Sequence, residues 1–260
     1  MLSLIEQRYW AGTAQQTTGG TPVPQPPRAR TSKARRAETG IGLRHNGVMT
    51  VREAVLSRRS MRSFDPTATI TSGEVALLLH EATPAPSALN LQNWEFVVCI
   101  EQEDKDRLRA VAFDQKKISD ASAVIIILGR GDLQERVKSH PLCNCFPSEE
   151  AEEWERLAMS AYESDPQRCR DEAFRSCSLF AMTFMLLALE AGWSTAPIGG
   201  FDASALAREF DVPDHYIPVL LVAVGQPGAR PFVSPRPKRV PLEELMHVGR
   251  FGSGRPKGSG

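Results

Sequence analysis

The chain lacks any run approaching the ~18–20 apolar residues that a membrane span takes. Its longest, residues 179–189 (LFAMTFMLLAL), reads as part of a buried helix, so no membrane role is expected. The glycine fingerprint G-x-G-x-x-G of nucleotide-binding strand–turn–helix units is absent. So is any Ser-His-Asp or paired-carboxylate pattern that would carry hydrolytic chemistry. Net charge is also missing, because 31 Lys and Arg balance 31 Asp and Glu. The chain as a whole therefore has no field to draw it onto nucleic acid or lipid. Cysteines are few (5), odd in number and irregularly spaced, and no apolar signal segment follows a basic start. That argues against a disulfide framework and for a reducing, cytoplasmic setting. His140, Cys143 and Cys145 form an H-x-x-C-x-C run, which is not a usual zinc spacing, and no second Cys pair follows it. No metal is expected.

What is present is unevenly distributed. Residues 1–47 hold seven Lys or Arg and two acids, and residues 249–260 hold three bases and no acid. The body between them carries 21 bases and 29 acids, so it is acidic with basic ends. Pro, Gly, Thr and Arg dominate residues 17–40, a composition that buries too little apolar surface to offset the entropy of ordering. Residues 1–47 are read as a disordered basic arm, whose apolar start (Leu2, Leu4, Ile5, Tyr9, Trp10) suits a protein partner. The folded domain is expected over 48–248, with a disordered tail over 249–260.

Within the body the elements follow from local signals. Thr50 with Glu53, and Thr71 with Glu74, make capping-box starts for two helices. The spacing predicts strands at 95–100, 123–128 and 219–224; the second, AVIIIL, suits a strand covered on both faces. Helices are expected over 105–113, 149–162 and 173–192, the last closed by Gly192 and apolar on nearly every side. A helix apolar all round must be buried all round, in a core or against another subunit. A short helix capped by Asp202 and a last turn over 242–246 complete the body. Residues 130–170, irregular and acidic, are read as an insertion or lid.

Four stretches carry chemistry. Arg58, Arg59, Ser60 and Arg62 place three guanidiniums and a hydroxyl at a helix end, a set suited to phosphate. Pro84–Asn93 is a polar loop between helix and strand, in which Ser87, Asn90 and Gln92 can donate and accept. Pro197-Ile198-Gly199-Gly200 lets backbone approach a flat ligand, or makes a plain turn. Arg236-Pro237-Lys238-Arg239 is a second basic group near the end.

In this order and spacing, RRSMRSFDP, PAPSALNLQNWEFVV, APIGGFD and PRPKRVPLEEL resemble the FMN-dependent nitroreductase family over about residues 50–247. The resemblance implies an α+β fold, with a mixed, mainly antiparallel sheet flanked by helices in an interlocked homodimer. FMN then lies in clefts at the interface. It implies flavin contacts from Arg58, Arg59, Ser60, Arg62, Ser87, Asn90, Gln92, Pro197, Ile198, Gly199, Gly200, Arg236 and Arg239. The 87–92 loop and the C-terminal arginines are expected to serve the flavin of the other subunit. Asn93 departs from the family's usual Pro before the Trp.

The resemblance implies hydride transfer from NADPH or NADH through FMN to a nitroaromatic, quinone or similar small acceptor, with no catalytic side chain required because the flavin carries the chemistry. Two other readings stand beside it. One is an FMN-dependent dehydrogenase of a peptide or natural-product intermediate, with oxygen as acceptor. The other is a flavin-binding assembly protein recruited through its arm. Nucleic acid would have to rest on the arm alone, against an acidic body.

Overall fold

The central strand pair explains the rest of the architecture. In the computed structural model, which describes residues 49–139, 148–163, 165–232 and 235–253, four strands form one sheet. They are β1 (Trp94–Cys99), β2 (Ala123–Arg130), β3 (Ser194–Ile198) and β4 (Tyr216–Gly225), in the order β1-β2-β4-β3. All three pairings are antiparallel, and a single parallel bridge, Ser60 to Thr195, is added outside β3. The expected antiparallel-rich sheet is therefore what forms, with its parallel component confined to that bridge.

β2 is apolar from Ala123 to Leu128 because that stretch is covered twice. Ala123, Ile125 and Ile127 enter one core; Val124, Ile126 and Leu128 enter the other. Alternation by two is the strand period, and each fully buried isoleucine contributes roughly 1.5–3 kcal/mol. The first core is closed by α2 (Ser72–Ala82) and α7 (Pro166–Glu190); the second by α3 (Gln102–Val111), α4 (Lys116–Ser119) and α8 (Ala203–Glu209). A third, smaller core joins α5 (Leu133–Ser139), α6 (Ser148–Tyr162) and the start of α7 around Leu91.

Both capping boxes form. Thr50 Oγ1 accepts from the Glu53 N–H at 3.2 Å while the Glu53 carboxylate accepts from the Thr50 N–H at 2.8 Å, which starts α1 (Val51–Ser57). Thr71 and Glu74 repeat the pattern at α2. α7 ends in a Schellman turn: the Trp193 N–H reaches Ala188 O at 2.8 Å, the Gly192 N–H reaches Leu189 O at 3.0 Å, and Gly192 sits at φ 92°.

Three expectations are corrected. α7 begins at Pro166 rather than 173, because Asp165 caps it by accepting from the Arg168 N–H and Pro166 suits the first turn. At its full length it is long and apolar enough to cross a membrane, yet Ala173, Cys177, Phe180 and Phe184 lie buried in the core against the sheet. Within one chain Leu179 and Met182 are exposed, since one chain covers only the face toward the sheet and α2. The stretch 194–198, read as part of a turn, is the edge strand β3, where Pro197 is tolerated because an edge needs no second ladder. The described part of residues 130–170 is not irregular: it holds the end of β2, α5, α6 and the first turn of α7. Residues 1–47, His140, Cys143, Cys145 and the tail from 254 lie outside the described residues. Among the described residues no cluster of metal-ligating side chains occurs.

Candidate functional site

The end of α1 hands the chain directly to the sheet. Ser60 bridges to Thr195, and the Met61 N–H donates to Thr195 O at 3.0 Å, so the Arg58–Arg62 segment lies along the outer edge of β3. Buried Met61 and Phe64 fix it from below. The C-terminal segment then folds over the same place. The Arg62 N–H donates to Pro231 O at 2.6 Å, the Arg230 N–H to Ser63 Oγ at 3.2 Å, and Arg236 Nη2 to Arg58 O at 2.6 Å.

The result is a concentration of positive charge. Arg58 is half-buried, and its guanidinium is held below its ordinary pKa by burial first, then by Arg236 and Arg239. Arg58 Nη1 donates to Ser60 Oγ at 3.4 Å. Arg59 stacks its guanidinium 4.6 Å from the Phe232 ring centre. Lys117, on α4, is lowered by burial and by Arg62. Among the described residues, Arg58, Arg62, Arg236 and Arg239 form no ion pair with a carboxylate. Cations gathered without a counter-charge repel one another, and the arrangement is stable only because it is partly solvated or because an anion fills it. A phosphate dianion suits this donor set.

Along β3 from that cluster lie Pro197, Ile198 and the paired glycines. From Thr195 to Gly199 the strand advances about 13 Å. A Cβ built on Gly199 would meet nothing within 4 Å, so the backbone there borders open space. Gly200 is more enclosed: its carbonyl accepts from Gln115 Nε2 at 2.7 Å, and a Cβ on it would touch Gln115 and Phe113. Phe113, 70% exposed and at φ 55°, stands beside this glycine. An exposed backbone shelf fits the flat ring of a flavin, and with the basic cluster it accommodates both ends of FMN.

Ser87, Asn90 and Gln92 are not brought to this edge. Their loop runs into β1, at the opposite side of the sheet, three strand spacings or about 14 Å from β3. Inside the loop, Ser87 Oγ accepts from the Gln92 N–H at 2.9 Å. Gln92 Nε2 turns back to Asn90 O at 3.5 Å. Leu89, Asn90 and Gln92 all adopt left-handed backbone, at φ 51°, 52° and 46°. Outside Gly such conformations cost of order 1–3 kcal/mol each and gather at functional sites. Asn93 is fully buried, and both its amide atoms lack a hydrogen-bond partner among the described residues.

Within one chain Arg236 bonds to Arg58, and Arg239 lies close enough to act on its charge. Sequence reasoning missed Lys117, Gln115 and Phe113. Only the exposed aromatic and paired lysines of FDQKK could have flagged them.

A family model described as the nitroreductase family matches residues 55–226. A Bacillus subtilis relative, YodC, provisionally named an NAD(P)H nitroreductase, is 35% identical over 199 residues, 74% of this chain and 96% of its own. The chain belongs to the nitroreductase family. That membership makes it an oxidoreductase. A nitroreductase-like protein of Exiguobacterium sibiricum, solved in complex with FMN, superposes with a TM-score of 0.68 at 29% identity, covering 76% of this chain and 96% of that one. An enone reductase of conjugated linoleic acid biosynthesis from Lactiplantibacillus plantarum is 28% identical over 194 residues, 71% of this chain and 88% of its own. The nitroreductase family thus supplies the fold, and the relatives matched here carry different activity names.

Proposed function

We propose that this nitroreductase binds FMN and passes hydride from NADPH or NADH to a small acceptor, a nitroaromatic, quinone or similar compound, in a ping-pong cycle. The observation that carries the reading is the convergence of Arg58, Arg236 and Arg239 with no carboxylate among them. When bound, FMN supplies the hydride acceptance and donation; the chain supplies position and charge. Arg58, Arg236 and Arg239 hold the phosphate, with Arg59, Ser60 and Arg62 beside them. Lys117 offers a half-buried cation next to Arg62. Gly199 leaves backbone open to the ring, and Pro197 and Ile198 aim that backbone along the sheet edge. Phe113 walls the space where donor and acceptor alternate.

The same reading makes the working unit a homodimer. Val51, Val55 and Leu56 on α1 and Leu179 and Met182 on the adjoining α7 expose a shared apolar face, of the kind a permanent interface covers. A second copy would bring its Ser87, Asn90 and Gln92 to the first copy's β3 edge, which one chain alone keeps apart.

Initial rates measured at several fixed concentrations of NADPH against a nitroaromatic or quinone test the cycle. Parallel double-reciprocal lines are expected. Intersecting lines would mean that donor and acceptor occupy the enzyme together and would overturn the shared-pocket account.

A further inference from the structure

Three consecutive carbonyls at the end of the 87–92 loop accept hydrogen bonds from one short segment. Arg136 Nε donates to Leu91 O at 2.8 Å and Arg136 Nη2 to Gln92 O at 3.0 Å. The Arg130 N–H donates to Asn93 O at 2.9 Å. Leu91 between them is fully buried, packed with Leu133 and Val137 of α5 and Trp154 and Ala158 of α6. Leu89 rests on the same cluster. The loop so held is the one with three left-handed, non-glycine residues. A backbone of that kind persists only where its surroundings over-determine it. Here the surroundings are the helices after β2, joined by the last residue of that strand.

Arg136 has no carboxylate partner among the described residues. Its fork is spent on two backbone carbonyls, a geometry that a single ammonium cannot reproduce. The neighbouring Arg130 is instead tied to Asp132 by two bonds of 2.7 and 2.6 Å, which leaves Arg136 as the one aimed at the loop.

We infer that the α5–α6 segment is a clamp for the 87–92 loop, and that Arg136 is the positioning residue through which it sets flavin affinity. The inference rests on the proposed function, since it takes Asn90 and Gln92 to border the flavin. It gives α5 and α6 a role other than a lid, that of holding one wall of the site in a strained form.

The test uses the full-length protein and two variants, Arg136→Met and Arg136→Lys. FMN dissociation constants are measured by quenching of flavin fluorescence, with the visible circular dichroism of the bound flavin and thermal melts alongside. Arg136→Met is expected to weaken FMN about tenfold or more, the order set by loss of charge-assisted hydrogen bonds, and to change the flavin dichroism. Arg136→Lys keeps a charged donor without the fork and is expected to fall between, a few-fold weaker than wild type. A lower melting temperature with unchanged FMN affinity and dichroism in both variants would overturn the clamp and leave Arg136 a purely structural residue. Should Arg136→Met not fold, Arg136→Lys decides alone, and wild-type affinity in it overturns the inference. Failure of the wild-type protein to bind FMN is a different result, because it would overturn the reading of the site itself.

Discussion

Arg236 Nη2 donates to the backbone carbonyl of Arg58 at 2.6 Å across a sequence separation of 178 residues. The contact fastens the C-terminal segment over the end of α1 and sets two guanidiniums side by side with no acid to separate them. A phosphate between them would turn mutual repulsion into shared attraction. Arg236→Ala is therefore expected to weaken FMN binding about tenfold or more, the scale of a charge-assisted hydrogen bond. Titration of the apo-protein with FMN checks this, and an unchanged affinity would remove Arg236 from the site.

Phe113 tests a different part of the pocket. It stands beside Gly200, away from the basic cluster, and is mostly exposed. Phe113→Ala is expected to lower kcat/KM for an aromatic acceptor about two- to tenfold, the value of one aromatic contact. FMN affinity should not change. Steady-state kinetics on holo-protein with equal flavin content measures both.

How much of this could be read from the chain varied with the range of the signal. The capping boxes at Thr50 and Thr71 were legible because both partners lie within one turn. The two-faced β2 was legible from its composition. β3 was not: Ser-Thr-Ala-Pro-Ile is short and interrupted by Pro197, and only pairing with β4 makes it a strand. The arginines were visible as a basic set suited to phosphate, but nothing local says that Arg236 returns to its own Arg58. Phe113 was assigned to a helix that stops at Val111, because the left-handed residues 113 and 114 that end it carry no glycine to announce them.

Close packing between helix and sheet makes Gly129 sensitive. A Cβ there would lie 2.6 Å from Ala173 Cβ and 3.2 Å from its Cα, so the backbone of α7 would have to move. Gly129→Ala is expected to cost about 1–3 kcal/mol, the usual range for overpacking. At about 2–4 °C per kcal/mol for a domain of this size, a melt would fall by roughly 2 to 12 °C. No shift would mean that α7 rides less tightly on β2 than the coordinates place it.

Alkaline pH should loosen the fold through its buried thiols. Burial pushes Cys177 up from its ordinary 9.0 to about 12, and does the same to Cys99, with Asp104 adding to the shift. Both thiols stay protonated in the folded chain while the unfolded chain releases its protons near 9.0. Their contribution is thus fully present below about pH 9 and is lost as pH rises toward about 12. Melting temperatures taken across that window should decline. The decline should be shallower in Cys177→Ala, and an equal slope in the variant would show that this thiol is not a source of the loss.

The central claim is that the basic cluster and the glycine shelf together hold a flavin that a nicotinamide can reduce. Its most direct test is the visible spectrum of the purified protein, after FMN is added and excess removed, before and after anaerobic NADPH and then NADH. The account predicts oxidised flavin bands that stay with the protein and bleach with at least one of the two donors. Bound flavin that neither donor bleaches would contradict the proposed direction of electron flow. No retained flavin would contradict the site.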